Sequence, residues 1–196
     1  MKVIVKTDFE LVEEFIKGNP VSIELLINRH KSKVFTYIIL IVKKEQLAED
    51  IFQDTFIKVI NSLKAGKYKD NGRFLSWVIR IAHNLTIDHF RKEKQLNTIS
   101  NDNYETDLFN SKKMSDKNIE DNLIQSQIEN DIRKLIDKLP EDQKEVILLR
   151  HYGELSFKEI AQQTDVSINT ALGRMRYALI NLRKLIEKYD MSLTVR

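Results

Sequence analysis

Five glycines and two prolines among 196 residues constrain this chain more than any single motif. A sheet-rich fold of this length needs many tight turns, and turns draw on those two residues. Apolar residues instead recur at steps of three and four over long windows, the period of helices buried along one face. The expected class is therefore all-α. A first helix is expected over Asp8 to Lys17, stopped by Gly18-Asn19. A second starts near Pro20 and directs Leu25, Leu26, Val34, Tyr37, Ile38 and Ile41 inward. A third covers Gln46 to Leu63, with Ile51, Phe52, Phe56, Val59, Ile60 and Leu63 apolar. After the loop "KAGKYKDNG", a fourth runs from Arg73 to Lys92 and offers Leu75, Val78, Ile79, Ala82, Leu85 and Phe90 to a core.

The character then changes. Glu93 to Asn118 is polar, mixed in charge and without helical period, a composition that suits a flexible linker. Beyond it, Ile124, Ile128, Ile132, Leu135 and Leu139 form a helical stripe ending at Pro140. Helices over "EDQKEVILLRHYG", Phe157 to Gln163 and Ser167 to Tyr189 follow. No internal repeat relates the two halves.

Several classes are excluded or disfavoured at this stage. The chain has no cysteine, so disulfides, thiolate metal sites and cysteine nucleophiles are absent. His30, His83, His89 and His151 are too scattered for a metal site, and no phosphate loop or nucleophile elbow occurs. No metal, cofactor, small-molecule substrate or enzymatic activity is expected. The N-terminus lacks an apolar signal segment, and the longest apolar run, Val34 to Val42, is too short to span a bilayer. A cytoplasmic protein without membrane insertion is expected. Net charge is only +3, so a nucleic-acid reading must rest on local clustering.

Such clustering occurs twice. In "SFKEIAQQTDVSINTALGRMRYAL", Ser156 and Glu159 have capping-box spacing, and Ser167 can cap the next helix. Ile160, Ala161 and a Val166 plug would be buried in a helix-turn-helix. Its last helix would turn Ile168, Ala171, Leu172, Met175, Leu179, Leu182 and Ile186 inward. Ser167, Asn169, Thr170, Gly173, Arg174, Arg176 and Tyr177 then form the face offered to DNA. Asn and Arg can pair bidentately with base edges in a major groove, and Gly173 permits close approach. From Leu172 onward there are six basic residues against two acidic. A helical hairpin with a solvated charged face is the alternative.

The second cluster is the fourth helix. Trp77, Arg80, Asn84, Asp88 and Arg91 follow 3-4-4-3 spacing and share one face. An aromatic, an amide and two guanidinium groups there suit unpaired bases and phosphates. By themselves they fit an ordinary surface equally well, with Asp88 paired to Arg91 and Trp77 half buried.

Three segments in this order and spacing carry a resemblance: "AEDIFQDTFIKVI", "FLSWVIRIAHNLTIDHFRK" and "LPEDQKEVILLRHYGELSFKEIAQQTDVSINTALGRMRYAL". The chain resembles the extracytoplasmic-function (ECF) group of bacterial RNA polymerase sigma factors. The resemblance implies two small helical domains joined by a flexible linker. These are region 2 over 1–93, a tether over 94–118 and a region 4 helix-turn-helix over 119–196. It assigns Asp50, Gln53, Asp54 and Phe56 to docking on the polymerase β′ subunit, with Phe56 as apolar anchor. On composition alone this stretch is a solvated acidic face. It assigns the −10 promoter element to the fourth-helix face and to a base pocket in the preceding loop, with Lys67, Tyr68, Asp70 and Asn71. The −35 element falls to the helix-turn-helix. The implied partners are core RNA polymerase, through its β and β′ subunits, promoter DNA and an anti-sigma factor. His83 stands where the family often has Arg, implying a weaker or pH-sensitive phosphate contact. Leu172 and Gly173 stand where a Lys-Ser pair is common. The rival reading is a helix-turn-helix regulator that does not bind core polymerase.

Overall fold

The computed structural model describes residues 6–69, 72–97 and 132–189, all helix, turn or loop, with no strand among them. They fall in two compact units, one carrying four helices and the other three helices with a short helical segment before them. Residues Ile124 and Ile128, and nearly all of the expected tether, lie outside the described residues.

In the first unit, α1 (Asp8–Ile16) opens on a capping box: the Thr7 side chain accepts from the Glu10 amide, and the Glu10 carboxylate accepts from the Thr7 amide. Gly18, at φ +101°, closes the helix in a conformation that a side chain would strain. Asn19 caps α2 (Pro20–Val42), accepting from the Val21 amide at 3.1 Å, with Pro20 at the first helical position. α3 (Glu45–Lys64) and α4 (Phe74–Asn97) complete the bundle. α2 packs on α1, α3 and α4, and α3 packs on α4. Leu11, Leu26, Val34, Tyr37, Ile38, Val59, Leu63, Phe74, Val78 and Ile79 fill the core. Although α2 is long, no described helix is both long and apolar enough to cross a membrane.

Several expectations fail here for geometric reasons. Leu25 is 47% exposed, because one residue turns a helix by about 100° and the buried stripe already runs through Ser22, Leu26, His30 and Val34. Phe90 lies on the surface. α4 continues past Lys92 to Asn97. Its extension is Glu-Lys-Gln-Leu-Asn, a sequence mostly of good helix formers that composition does not separate from a tether.

His83 is buried rather than offered to phosphate. Its Nδ1 bonds the Tyr37 hydroxyl at 2.7 Å, and burial lowers its pKa from 6.5 to about 4. The fold thus holds a neutral imidazole. This stability is fully present above the ordinary pKa and is lost as pH falls from 6.5 toward 4, because the unfolded chain takes up the proton first. Between pH 7 and pH 5 the loss is about 2 kcal/mol. Urea unfolding at the two pH values should show that loss in the wild type and a smaller one in His83→Gln. Equal losses would mean that His83 is not the group responsible.

In the second unit a helical segment over 132–137 leads into α5 (Glu141–His151), α6 (Phe157–Gln163) and α7 (Ile168–Lys188). α7 packs on both α5 and α6. Leu135, Ile136, Leu139, Val146, Leu148, Leu149, Leu155 and Ile160 are buried, while Ile132 is at the surface. α7 contributes Ala171 and Ala178 to the core, two small residues seven apart on one face, which let its backbone come close. Ile168, Leu172 and Leu179, expected inward, are 45%, 44% and 42% exposed. Leu172 and Leu179 each follow a buried alanine by one residue, so they point about 100° away from the core. Val166 is half-buried rather than a sealed plug.

Candidate nucleic-acid interface

The α6–α7 pair forms the expected turn. Ser156 and Glu159 make the capping box, with Glu159 accepting from the Ser156 amide at 2.8 Å. The turn passes through Asp165 at φ +52°, a left-handed position that Asp tolerates better than most residues. The Val166 amide donates to the Ala161 carbonyl at 3.0 Å. Ser167 caps α7, accepting from the Thr170 amide at 3.0 Å, while the Ser167 and Thr170 hydroxyls bond each other at 2.9 Å. Both hydroxyls therefore build the helix start as well as facing solvent.

Asn169, Thr170, Arg176 and Tyr177 are exposed, opposite Ala171 and Ala178. At Gly173 a Cβ would meet nothing within 4 Å, so packing does not require glycine there and the face is open. Arg174 differs from its neighbours. Half-buried, it places Nε 3.3 Å from Asp142 Oδ2 in the first turn of α5. Glu145 sits nearby, its carboxyl pushed up by burial despite the Arg174 charge. An α5 carboxylate thus sets the direction of Arg174, a relation between residues 32 apart that local reading misses.

In the first unit the candidate stripe on α4 divides. Asn84, Asp88 and Arg91 are exposed, whereas Trp77 and Arg80 are half-buried. The Trp77 ring lies 4.5 Å from that of Tyr68, and both lie 5.9 Å from the buried Phe74. The loop before α4 is pinned to the helix by aromatic packing, and Tyr68 takes part of the Trp77 surface. Lys67 is exposed and opens on a groove of about 370 Å³ between α3 and α4, lined also by Asp54, Ile57, Asn61 and Leu85. Lys67 and Asp54 come from two separately assigned sets, and the fold brings them to one groove. Asp70 and Asn71 lie outside the described residues.

On α3, Asp50, Gln53 and Asp54 are exposed in a row. Phe56 is not available as a surface anchor. It is 5% exposed, with its ring 4.9 Å edge-on to Phe52, because its register places it beside the buried Ile51, Thr55 and Val59. The exposed apolar residue on the acidic row is Ile57, 56% accessible, one turn beyond Gln53 and Asp54 and two turns beyond Asp50. Among the described residues, no group of three His, Cys, Asp or Glu is arranged to hold a metal.

Two family models match this chain: sigma-70 region 2 over residues 26–95 and sigma-70 region 4 over residues 129–177, together more than half of its length. The RNA polymerase sigma-H factor of Pseudomonas aeruginosa is 27% identical over 92% of each chain. The ECF sigma factor SigW of Bacillus subtilis is 28% identical over 88% of this chain and 93% of its own. The chain belongs to the ECF group of RNA polymerase sigma factors. Such factors are DNA-binding proteins of transcription initiation. The fold is shared with RpoE of Bartonella quintana, solved with the anti-sigma factor NepR, at TM-score 0.65 and 19% identity over 84% of this chain and 96% of that one. The region 2 match encloses α3, its acidic row and all but the end of α4. The region 4 match ends at Tyr177, so it takes in α5, α6 and the face of α7 from Ser167 to Tyr177.

Proposed function

We propose that this ECF sigma factor binds core RNA polymerase, directs it to promoters and helps open the −10 element. The first unit, placed in residues 1–93 with α4 running on to Asn97, docks through Asp50, Gln53 and Asp54, with Ile57 as the apolar contact. It holds the opened −10 strand along Asn84, Asp88 and Arg91, with Lys67, Tyr68, Trp77 and Arg80 at the loop end, and Asp70 and Asn71 are assigned to the same task from the sequence alone. A tether over 94–118 leads to the second unit, residues 119–196, which reads the −35 duplex through α7. The β and β′ subunits and promoter DNA are the partners, and the work is done in the cytoplasm without membrane insertion. RpoE of Bartonella quintana was solved with an anti-sigma factor, and a partner of that kind is proposed here too. The observation that carries the reading is the α7 face: capped by Ser167, supported from behind by Ala171 and Ala178, and offering Asn169, Thr170 and Arg176 to solvent.

Run-off transcription with the full chain, core polymerase and a promoter selected from a random library tests this. The complex should initiate where core alone does not. Arg174→Ala should lower promoter affinity by about 1–3 kcal/mol, since its guanidinium, held by Asp142 in the free chain, is proposed to exchange that carboxylate for a base edge. Binding to duplex DNA without association with core would favour the plain regulator. Full promoter affinity in Arg174→Ala would remove that residue from the −35 face.

A further inference from the structure

Leu172 is one of three exposed aliphatic residues on α7, with Ile168 and Leu179, and it stands where a lysine is common in the family pattern. It is 44% exposed, and the core is served by Ala171 beside it. Leucine at this position gains little from folding and leaves apolar area in water. Ile168, one turn earlier, is exposed to the same degree and lies on the same edge of the helix. Polar and basic residues border this edge on its outer side. Asn169 and Arg176 flank Leu172 on the outer face, and Gly173 carries no side chain to hold the helix away from a groove floor. Six of the eight charges from Leu172 to the C-terminus are basic.

We infer that Leu172, with Ile168 beside it, contacts the 5-methyl groups of thymine in the −35 duplex. This inference rests on the proposed −35 role of α7. The chemistry is selective: in the major groove only the T·A pair carries a methyl, and an apolar side chain in the first turns of a recognition helix reads it without hydrogen bonds. A lysine at 172 would instead seek a phosphate or a guanine edge. The Leu172-Gly173 pair therefore shifts preference toward A·T pairs at the positions it covers.

The test uses holoenzyme assembled from the full chain and core polymerase. Its −35 element is first selected from a randomised library, and each thymine is then replaced singly by deoxyuridine. Loss of one buried methyl should lower affinity about fourfold at one or more positions. In Leu172→Ala the thymine-to-uracil ratio should fall toward one at the positions that Leu172 covers. Leu172 is exposed and alanine favours helix, so the variant should fold. An element without A·T pairs under α7, no sensitivity to uracil, or equal sensitivity in Leu172→Ala would each overturn the inference while leaving the −35 role standing. If Leu172→Ala keeps the ratio but weakens association with core, the edge is a protein contact and the thymine assignment falls. Absence of any −35 dependence overturns the inference and the proposed role of α7 together.

Discussion

Asp137→Ala should destabilise the C-terminal unit by about 3–5 kcal/mol, since it strands a buried ammonium. Lys144 is 2% exposed, and its Nζ donates to Asp137 Oδ1 at 2.6 Å. The pair ties the segment over 132–137 to α5, and α5 supplies Val146, Ile147, Leu148 and Leu149 to the interior on which α7 rests. Loss of the carboxylate leaves the buried Lys144 ammonium without the acceptor that balances its charge. Hydrogen exchange in the full chain would follow this directly, because amides of α5 and α7 should lose protection together. Replacing both residues, Asp137→Leu with Lys144→Met, removes the stranded charge and should restore stability to near the wild-type level. Unchanged protection in the single variant would show that the pair contributes no net stability. A double variant as unstable as the single one would place the loss in packing rather than charge. In either variant −35 binding should follow the stability of α7, since neither residue lies on its outer face.

What could be read from the sequence was mostly local. The Ser156–Glu159 box, the Ser167 cap and the stops at Gly18 and Pro140 involve residues within one turn of each other, so spacing alone reveals them. The rotation of a helix about its axis is set by its neighbours. On α7 the period through Ile168, Leu172, Met175 and Leu179 is a good amphipathic stripe, yet the helix buries the smaller Ala171 and Ala178 instead. Bulk marks a hydrophobic face, whereas close packing selects small side chains, and the two criteria differ here by one residue. Phe56 shows the same ambiguity. A resemblance reports that a position is apolar in related chains, and in this fold that position faces Phe52.

Long-range partners were not legible. Lys144 sits in "EDQKEV", the polar start of a helix in which nothing local marks a buried residue, and only the arrival of Asp137 makes its burial tolerable. His83 reads as a weakened basic contact until Tyr37, 46 residues away, closes over it. Asp142 reads as an ordinary acid in a first helical turn, where the helix dipole favours it, and its grip on Arg174 depends on how α5 crosses α7. The candidate interfaces were thus located by composition and order, while the state of each side chain depends on packing.

The second large effect concerns the acidic row on α3. Asp50→Lys with Asp54→Lys should lower the affinity for core polymerase by about 100-fold, within the 2–5 kcal/mol that charged interface pairs command. Both carboxylates are exposed, and the buried side of α3 is built from Ile51, Thr55, Phe56 and Val59, so the variant should keep its fold and its binding to −35 duplex. The defect should narrow as salt rises, because screening weakens the wild-type attraction and the variant's repulsion alike. Competition for core at two ionic strengths measures both quantities. Ile57→Ala supplies the complementary case: it should weaken core binding with little salt dependence, since the exposed isoleucine contributes apolar area rather than charge. Salt-independent loss in the lysine variant would point to misfolding, and unchanged core affinity would return the row to the solvated acidic face that its composition alone describes. A plain DNA-binding regulator has no use for a charge-dependent polymerase contact. The salt profile of this one variant therefore separates the two readings of the chain without reference to any promoter.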